Sequence, residues 1–172
     1  MKQPVTSSFQ RKHVLLATML AVTLAACSGE KPEAMVASAR DYMTKADYKS
    51  AVIQVKNALQ ENPELPEARY ILGLALLKSG DPVGAETELR KARSLGHPDE
   101  QVVPPLAQAM LLQGKAKNVA EDFSAVQLTT PVAKAEFQTA LATAHAVLGS
   151  SERSRQALAA ALEADPAYAP AL

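Results

Sequence analysis

The residue best placed for covalent chemistry is the only cysteine of the chain, Cys27. It follows Leu24-Ala25-Ala26 and closes an apolar run from Val14 to Ala26 that Thr18 and Thr23 alone interrupt. A thiol is the natural nucleophile for acyl or alkyl transfer when it is accessible, and an inert apolar side chain when it is buried in a helix. One cysteine excludes an internal disulfide framework and a four-cysteine zinc site. The three histidines offer no substitute: His13 lies in the leader, His97 precedes Pro98 in what reads as a solvated turn, and His145 falls at a packing position where partial burial is expected. None has zinc-ligand spacing with another, so no metal is expected. The acidic pairs Asp99-Glu100 and Glu121-Asp122 read as helix starts, where the dipole favours negative charge, rather than as acid/base machinery. Gly80-Asp81-Pro82-Val83-Gly84 lacks the Gly-Lys-Ser/Thr ending of a phosphate cradle and reads as a turn between helices. No catalytic residue and no cofactor are expected.

The surroundings of Cys27 give it a role. Residues 1–13 carry Lys2, Arg11 and Lys12 and no acid, and the apolar run follows them, which is the layout of a secretory signal. As a helix the 13 residues from Val14 to Ala26 would span about 20 Å, short of the roughly 30 Å of a bilayer core, so a permanent span is not expected. Leu24-Ala25-Ala26-Cys27 resembles the bacterial lipobox. That resemblance implies a diacylglycerol on the Cys27 sulfur, cleavage between Ala26 and Cys27 by a peptidase that needs the small residues, and Cys27 as the new first residue. Two or three acyl chains hold stably where one is marginal. Ser28 stands where an inner-membrane retention signal resembles Asp, so the implied destination is the outer membrane of a Gram-negative cell, facing the periplasm.

Charge and composition bound the remainder. The 18 Lys+Arg balance 18 Asp+Glu over the whole chain, so nothing supplies the basic footprint that a nucleic acid needs. Removal of residues 1–26 takes three bases and no acid, leaving 15 bases against 18 acids and a mildly acidic mature chain. Thirty-three alanines, 4% aromatics and no tryptophan favour helices, because Ala loses no side-chain entropy in a helix.

The helices are organised by a repeat. Pro63, Pro98, Pro131 and Pro166 recur at intervals of 35, 33 and 35 residues, a period that signals stacked supersecondary units. In that register copy two places Leu72-Gly73, Leu76, Ala85, Leu89 and Ala92 at positions seven, eight, eleven, twenty, twenty-four and twenty-seven, and copy one places Ala39, Tyr42, Ala51, Val55 and Ala58 at the corresponding sites. Small residues at eight, twenty and twenty-seven let paired helices approach, and larger ones fill the space between them. Gly80 suits a left-handed helix end, and Asp81-Pro82 a cap followed by a first-turn proline. The pattern resembles the tetratricopeptide repeat. The resemblance implies an all-α, right-handed superhelical solenoid of helix-turn-helix units behind a lipoprotein signal peptide: leader 1–26, lipidated linker 27–31, repeats over 32–65, 66–99, 100–134 and 135–168, and the start of a fifth at 169–172.

Two copies depart from the pattern. Copy three has Val119 and Val126 where small residues are usual, and Pro104-Pro105 is expected to shorten its first helix from the front. Copy four places His145 and Ser154 at packing positions, and looser packing is expected there. Ala167-Tyr168-Ala169-Pro170-Ala171-Leu172 reads as the lead-in of a further repeat, so the chain is expected to be the amino-terminal piece of a longer array.

In the tetratricopeptide family the concave face comes from fixed positions of each first helix. Here these positions place Arg40, Met43, Tyr70, Leu74, Leu77, Lys78, Gln108, Leu111 and Leu112 on a candidate partner-binding groove, for which a protein or peptide segment is the implied partner. Each leucine fits equally well as core between repeats, whereas Tyr70 has the amphipathic character common at binding hot spots. The Lys/Asn set that clamps a terminal carboxylate in some members is missing. Taken with the lipobox, the stretch CSGEKPEAMVASARDYMTKADYKSAVIQVKNALQENPELPEARYILGLALLKSGD is similar to the long repeat lipoprotein of exosortase (PEP-CTERM) systems. This implies a non-enzymatic, membrane-anchored scaffold in protein sorting and exopolysaccharide production. A pilotin-like or outer-membrane assembly lipoprotein is the alternative built from the same parts.

Overall fold

Proline and aspartate punctuation sets where the helices begin. The computed structural model describes residues 31–171; the leader, the Ala26-Cys27 junction and Leu172 lie outside the described residues. Among these residues eight α-helices follow one another: α1 Pro32–Thr44, α2 Tyr48–Glu61, α3 Pro66–Lys78, α4 Pro82–Ser94, α5 Asp99–Leu112, α6 Ala116–Asp122, α7 Pro131–Val147 and α8 Ser151–Ala164. A short 3-10 turn, Ala169–Ala171, comes last. Proline occupies the first turn of α1, α3, α4 and α7, where its missing N–H costs nothing. Asp47 and Asp81 cap α2 and α4 by accepting from the backbone N–H of Ser50 at 3.1 Å and Gly84 at 2.8 Å.

Helices pair in sequence, and the first helix of each pair also touches the first helix of the next: α1 packs on α3, α3 on α5, and α5 on α7. The second helices α2, α4, α6 and α8 pack on these first helices and not on one another, so the odd-numbered helices form a continuous inner layer. Close approach within a pair depends on the small residues. Ala39, Ala51, Ala58, Ala85 and Ala92 are wholly buried. A Cβ at Gly73 would lie 2.6 Å from Leu89 Cγ, so only glycine lets α3 and α4 meet at this separation.

Copy three differs from expectation in which helix is short. Pro104 and Pro105 lie inside α5, which keeps its 14 residues from Asp99 to Leu112, while α6 has only seven. A proline ring presents apolar surface, and the two rings are packed where α5 meets the groove, one buried and one half-buried; that packing offsets the two backbone hydrogen bonds the prolines cannot donate. The shortening falls on α6 because Glu121 and Asp122 stand at its carboxyl end, not at a helix start as expected, where negative charge opposes the dipole. Arg90 holds Asp122 there at 3.0 Å. Val119 is wholly buried although a small residue is usual at its position, and it shares the largest core cluster with Leu106, Met110, Phe123 and Phe137. In copy four the buried set is mostly alanine, Ala135, Ala142, Ala144, Ala157 and Ala161, and Ser154 donates to the Ala142 carbonyl at 2.9 Å.

Charged groups tie neighbouring pairs together. Glu86, almost buried, accepts from Arg90 (2.9 Å), Lys115 (2.6 Å) and Gln113 (2.8 Å), joining α4 to the turn before α6. Burial pushes its carboxyl up, but these donors outweigh that and hold it below the usual range. Arg69 bridges Glu88 at 2.8 Å and the Pro63 carbonyl at 3.0 Å, fixing the turn between the first two pairs.

Candidate functional site

The inner layer is concave where α3, α5 and α7 lie side by side. Their exposed faces, with Tyr168 and Pro170 of the carboxyl-terminal segment, enclose a groove of about 820 Å³. From α3 come Tyr70, Leu74, Leu77 and Lys78, and from α5 Gln101, Pro104, Pro105, Gln108 and Leu111. From α7 come Val132, Glu136, Ala140 and the hydroxyl-bearing Thr139 and Thr143. These residues recur at three- and four-residue steps on each helix, which puts them on one face.

Tyr70 is held from behind. Its ring stacks on His97 with centroids 4.4 Å apart and an interplanar angle of 21°. His97 is buried, not solvated as its place before a proline suggests, because its Nε2 lies 3.1 Å from Gln101 Oε1 and its Nδ1 3.7 Å from Glu67. The turn backbone is as expected; the ring folds inward to support Tyr70. Burial, together with the charges of Glu67 and Glu136, raises the Tyr70 phenol above its ordinary value and keeps it a neutral donor.

Of the residues assigned to the groove by repeat position, Tyr70, Leu74, Leu77, Lys78, Gln108 and Leu111 contribute to the lining. Leu77 is only 8% exposed and presents little more than an edge. Arg40, Met43 and Leu112 lie outside the lining. Arg40 is paired with Glu67 at 2.6 Å, Met43 packs against the core that α1, α2 and α3 share, and Leu112 points to solvent at the carboxyl end of α5, 63% exposed. Glu136, at one of the concave positions of the fourth copy, lines the groove as its repeat position implies. Tyr168 and Pro170 line it without having been singled out, and the approach of Tyr168 across the groove has no signal in the repeat.

Two carboxylates line the groove, and their surroundings differ. Glu100 accepts from the backbone N–H of Thr129 at 2.6 Å and of Thr130 at 3.3 Å, and from both hydroxyls at 2.8 Å. The Thr129 N–H and the other three donors hold its carboxyl down to about 2. Glu136 has no ion-pair or hydrogen-bonding side-chain partner among the described residues. The groove walls desolvate it and raise its carboxyl, partly countered by the charge of Lys78. No group of three His, Cys, Asp or Glu that could hold a metal is present among the described residues, and no helix among them is long and apolar enough to cross a membrane.

Residues 36–99 match the family model described as the tetratricopeptide repeat. Twenty-six chains of solved structures match the fold. One is YrrB, described as a tetratricopeptide protein with an unusual peptide-binding site, at TM-score 0.70 and 23% identity over 81% of this chain and 72% of that one. Another is PilF of Pseudomonas aeruginosa, at TM-score 0.68 and 14% identity over 78% of this chain and 61% of that one. No curated protein matches the chain. The all-α architecture is thus a tetratricopeptide solenoid, with the helix-turn-helix pairs of the sequence repeat.

Proposed function

We propose that this tetratricopeptide solenoid is a non-enzymatic adaptor that holds an extended protein segment in its concave groove and is tethered to a membrane by lipid on Cys27. The observation that carries the binding half is the groove itself: about 820 Å³, open along three parallel helices, with Tyr70 fixed at its wall by the His97 stack. Such a site offers apolar patches for side chains and dispersed polar groups for a backbone, the combination that suits a peptide more than a small metabolite. The likeness to YrrB, described by its peptide-binding site, supports the same reading.

The tether rests on the lipobox resemblance of Leu24-Ala25-Ala26-Cys27, and the location that goes with it is the periplasmic face of the outer membrane. For the system served we propose exosortase-linked protein sorting and exopolysaccharide production, on the sequence resemblance from Cys27 to Asp81. The structural likeness to PilF favours the alternative, a pilotin-like role in pilus or secretin assembly. Exosortase and polysaccharide-synthesis genes beside this one support the first, and pilus or secretin genes the second.

Capture of envelope proteins by the immobilised chain, compared with a Tyr70→Ala, Leu74→Ala variant, tests the groove. Loss of the captured species with helical circular dichroism intact is the expected result. Undiminished capture refutes it, and lost helicity shows that the two side chains serve the core.

A further inference from the structure

Glu136 stands in the groove wall on α7, and two aromatic rings are within reach of its charge. Tyr70 comes from α3 and Tyr168 from the segment after α8, and the Glu136 charge raises both phenols behind the leading effect of burial. The other groove carboxylate, Glu100, is occupied by Thr129 and Thr130. Lys78 is the cation whose charge acts on Glu136, but no ion pair joins them. Glu136 is therefore a groove carboxylate in the same lining as two tyrosines and without a bonded partner among the described residues.

We infer that the segment bound in this groove inserts a cationic side chain, arginine or lysine, onto Glu136, in the lining that Tyr70 and Tyr168 share. This rests on the reading of the groove as a peptide site and names the chemistry of its occupant. A carboxylate accepts two parallel N–H bonds from a guanidinium, and a tyrosine face attracts the same cation by its quadrupole. Pairing also offsets the cost of desolvating Glu136. The guest's neighbouring residues meet Leu74, Leu111 and Pro104 on the facing helices, so an apolar residue beside the cation completes the fit. An acidic guest would place like charge against Glu136 and is disfavoured.

The test is selection of random phage-displayed peptides on the full chain and on a Glu136→Gln variant, with helicity checked for both. The wild type is expected to enrich peptides with Arg or Lys at one fixed position, and the variant to bind peptides without that preference. For a selected peptide, changing its basic residue to Gln is expected to weaken binding to the wild type about tenfold and to leave binding to the variant nearly unchanged. Enriched peptides with no basic residue, or an equal loss on both proteins, overturn the inference while the peptide groove stands. No enrichment of any peptide overturns both.

Discussion

Ala46 carries strain that its counterparts in the other repeats avoid. It closes the turn between α1 and α2 with φ at 56°, whereas the same kind of turn uses Gly80, Gly114 and Gly149 at φ of 83°, 74° and 73°. A Cβ in the left-handed region costs about 1–2 kcal/mol, and glycine returns about 0.5–1 of that by its greater freedom in the unfolded chain. Ala46→Gly is expected to stabilise the protein by about 0.5–1 kcal/mol, read as a higher denaturant midpoint with unchanged slope; a lower midpoint would count against it. Gly73 predicts the opposite sign. Its Cβ would meet Leu89 in the core, so Gly73→Ala is expected to destabilise by about 1–3 kcal/mol in the same assay, and a neutral result would show that Leu89 moves aside freely. Both positions bear on what a sequence discloses at this scale. The glycine of Ser79-Gly80-Asp81 announces its conformation because few other residues adopt it. The stack of His97 on Tyr70 does not, since the His-Pro dipeptide fixes a turn backbone but leaves the ring free to face either way.

Helix boundaries follow short-range rules, and pairing between repeats does not. Proline in first turns and aspartate caps placed α1, α3 and α4 where the repeat register puts them. The way copy three closes onto copy four was not legible, because it depends on Glu100 reaching 29 and 30 residues ahead to the threonines before α7. Those bonds supply an acceptor for the N–H groups at the entry to α7, whose cap Thr130 makes no side-chain cap bond of its own. The groove shares this origin: repeat positions found its central residues on α3 and α5, but assumed equal units and so included Arg40, Met43 and Leu112 and passed over Tyr168. The Glu100 latch has a pH signature. Its folded carboxyl sits at about 2, below the roughly 4.3 of an unfolded glutamate, so its contribution is fully present above about 4.3 and is lost as pH falls through about 2. Wild type is therefore expected to exceed Glu100→Gln in denaturant midpoint at pH 7, with the gap closing as pH is lowered from about 4.5 towards 2. A gap that stays constant over that range would show that the charge is not what the latch uses.

For the molecule as a whole, very little chain separates the array from the proposed tether at Cys27. Four residues, Ser28 to Lys31, separate Cys27 from the first residue of α1. Fully extended they span at most about 14 Å, so lipid on Cys27 would hold the first repeat close to the bilayer surface. From Cys27 onward the chain carries 15 bases against 18 acids, and a bilayer rich in anionic lipid would repel such a surface weakly, not attract it. On the proposed anchor, attachment would rest on the acyl chains, of which two or more supply stable anchoring at about 0.8 kcal/mol per buried methylene. Cys27→Ala is accordingly expected to abolish labelling by an alkyne fatty-acid analogue in a bacterial host and to leave the chain either unprocessed or in the soluble fraction. The repeats themselves are expected to keep their thermal transition, because residues 31–171 form core clusters among themselves. Labelling that persists in the variant would refute the anchor, since the chain has no other thiol to carry it.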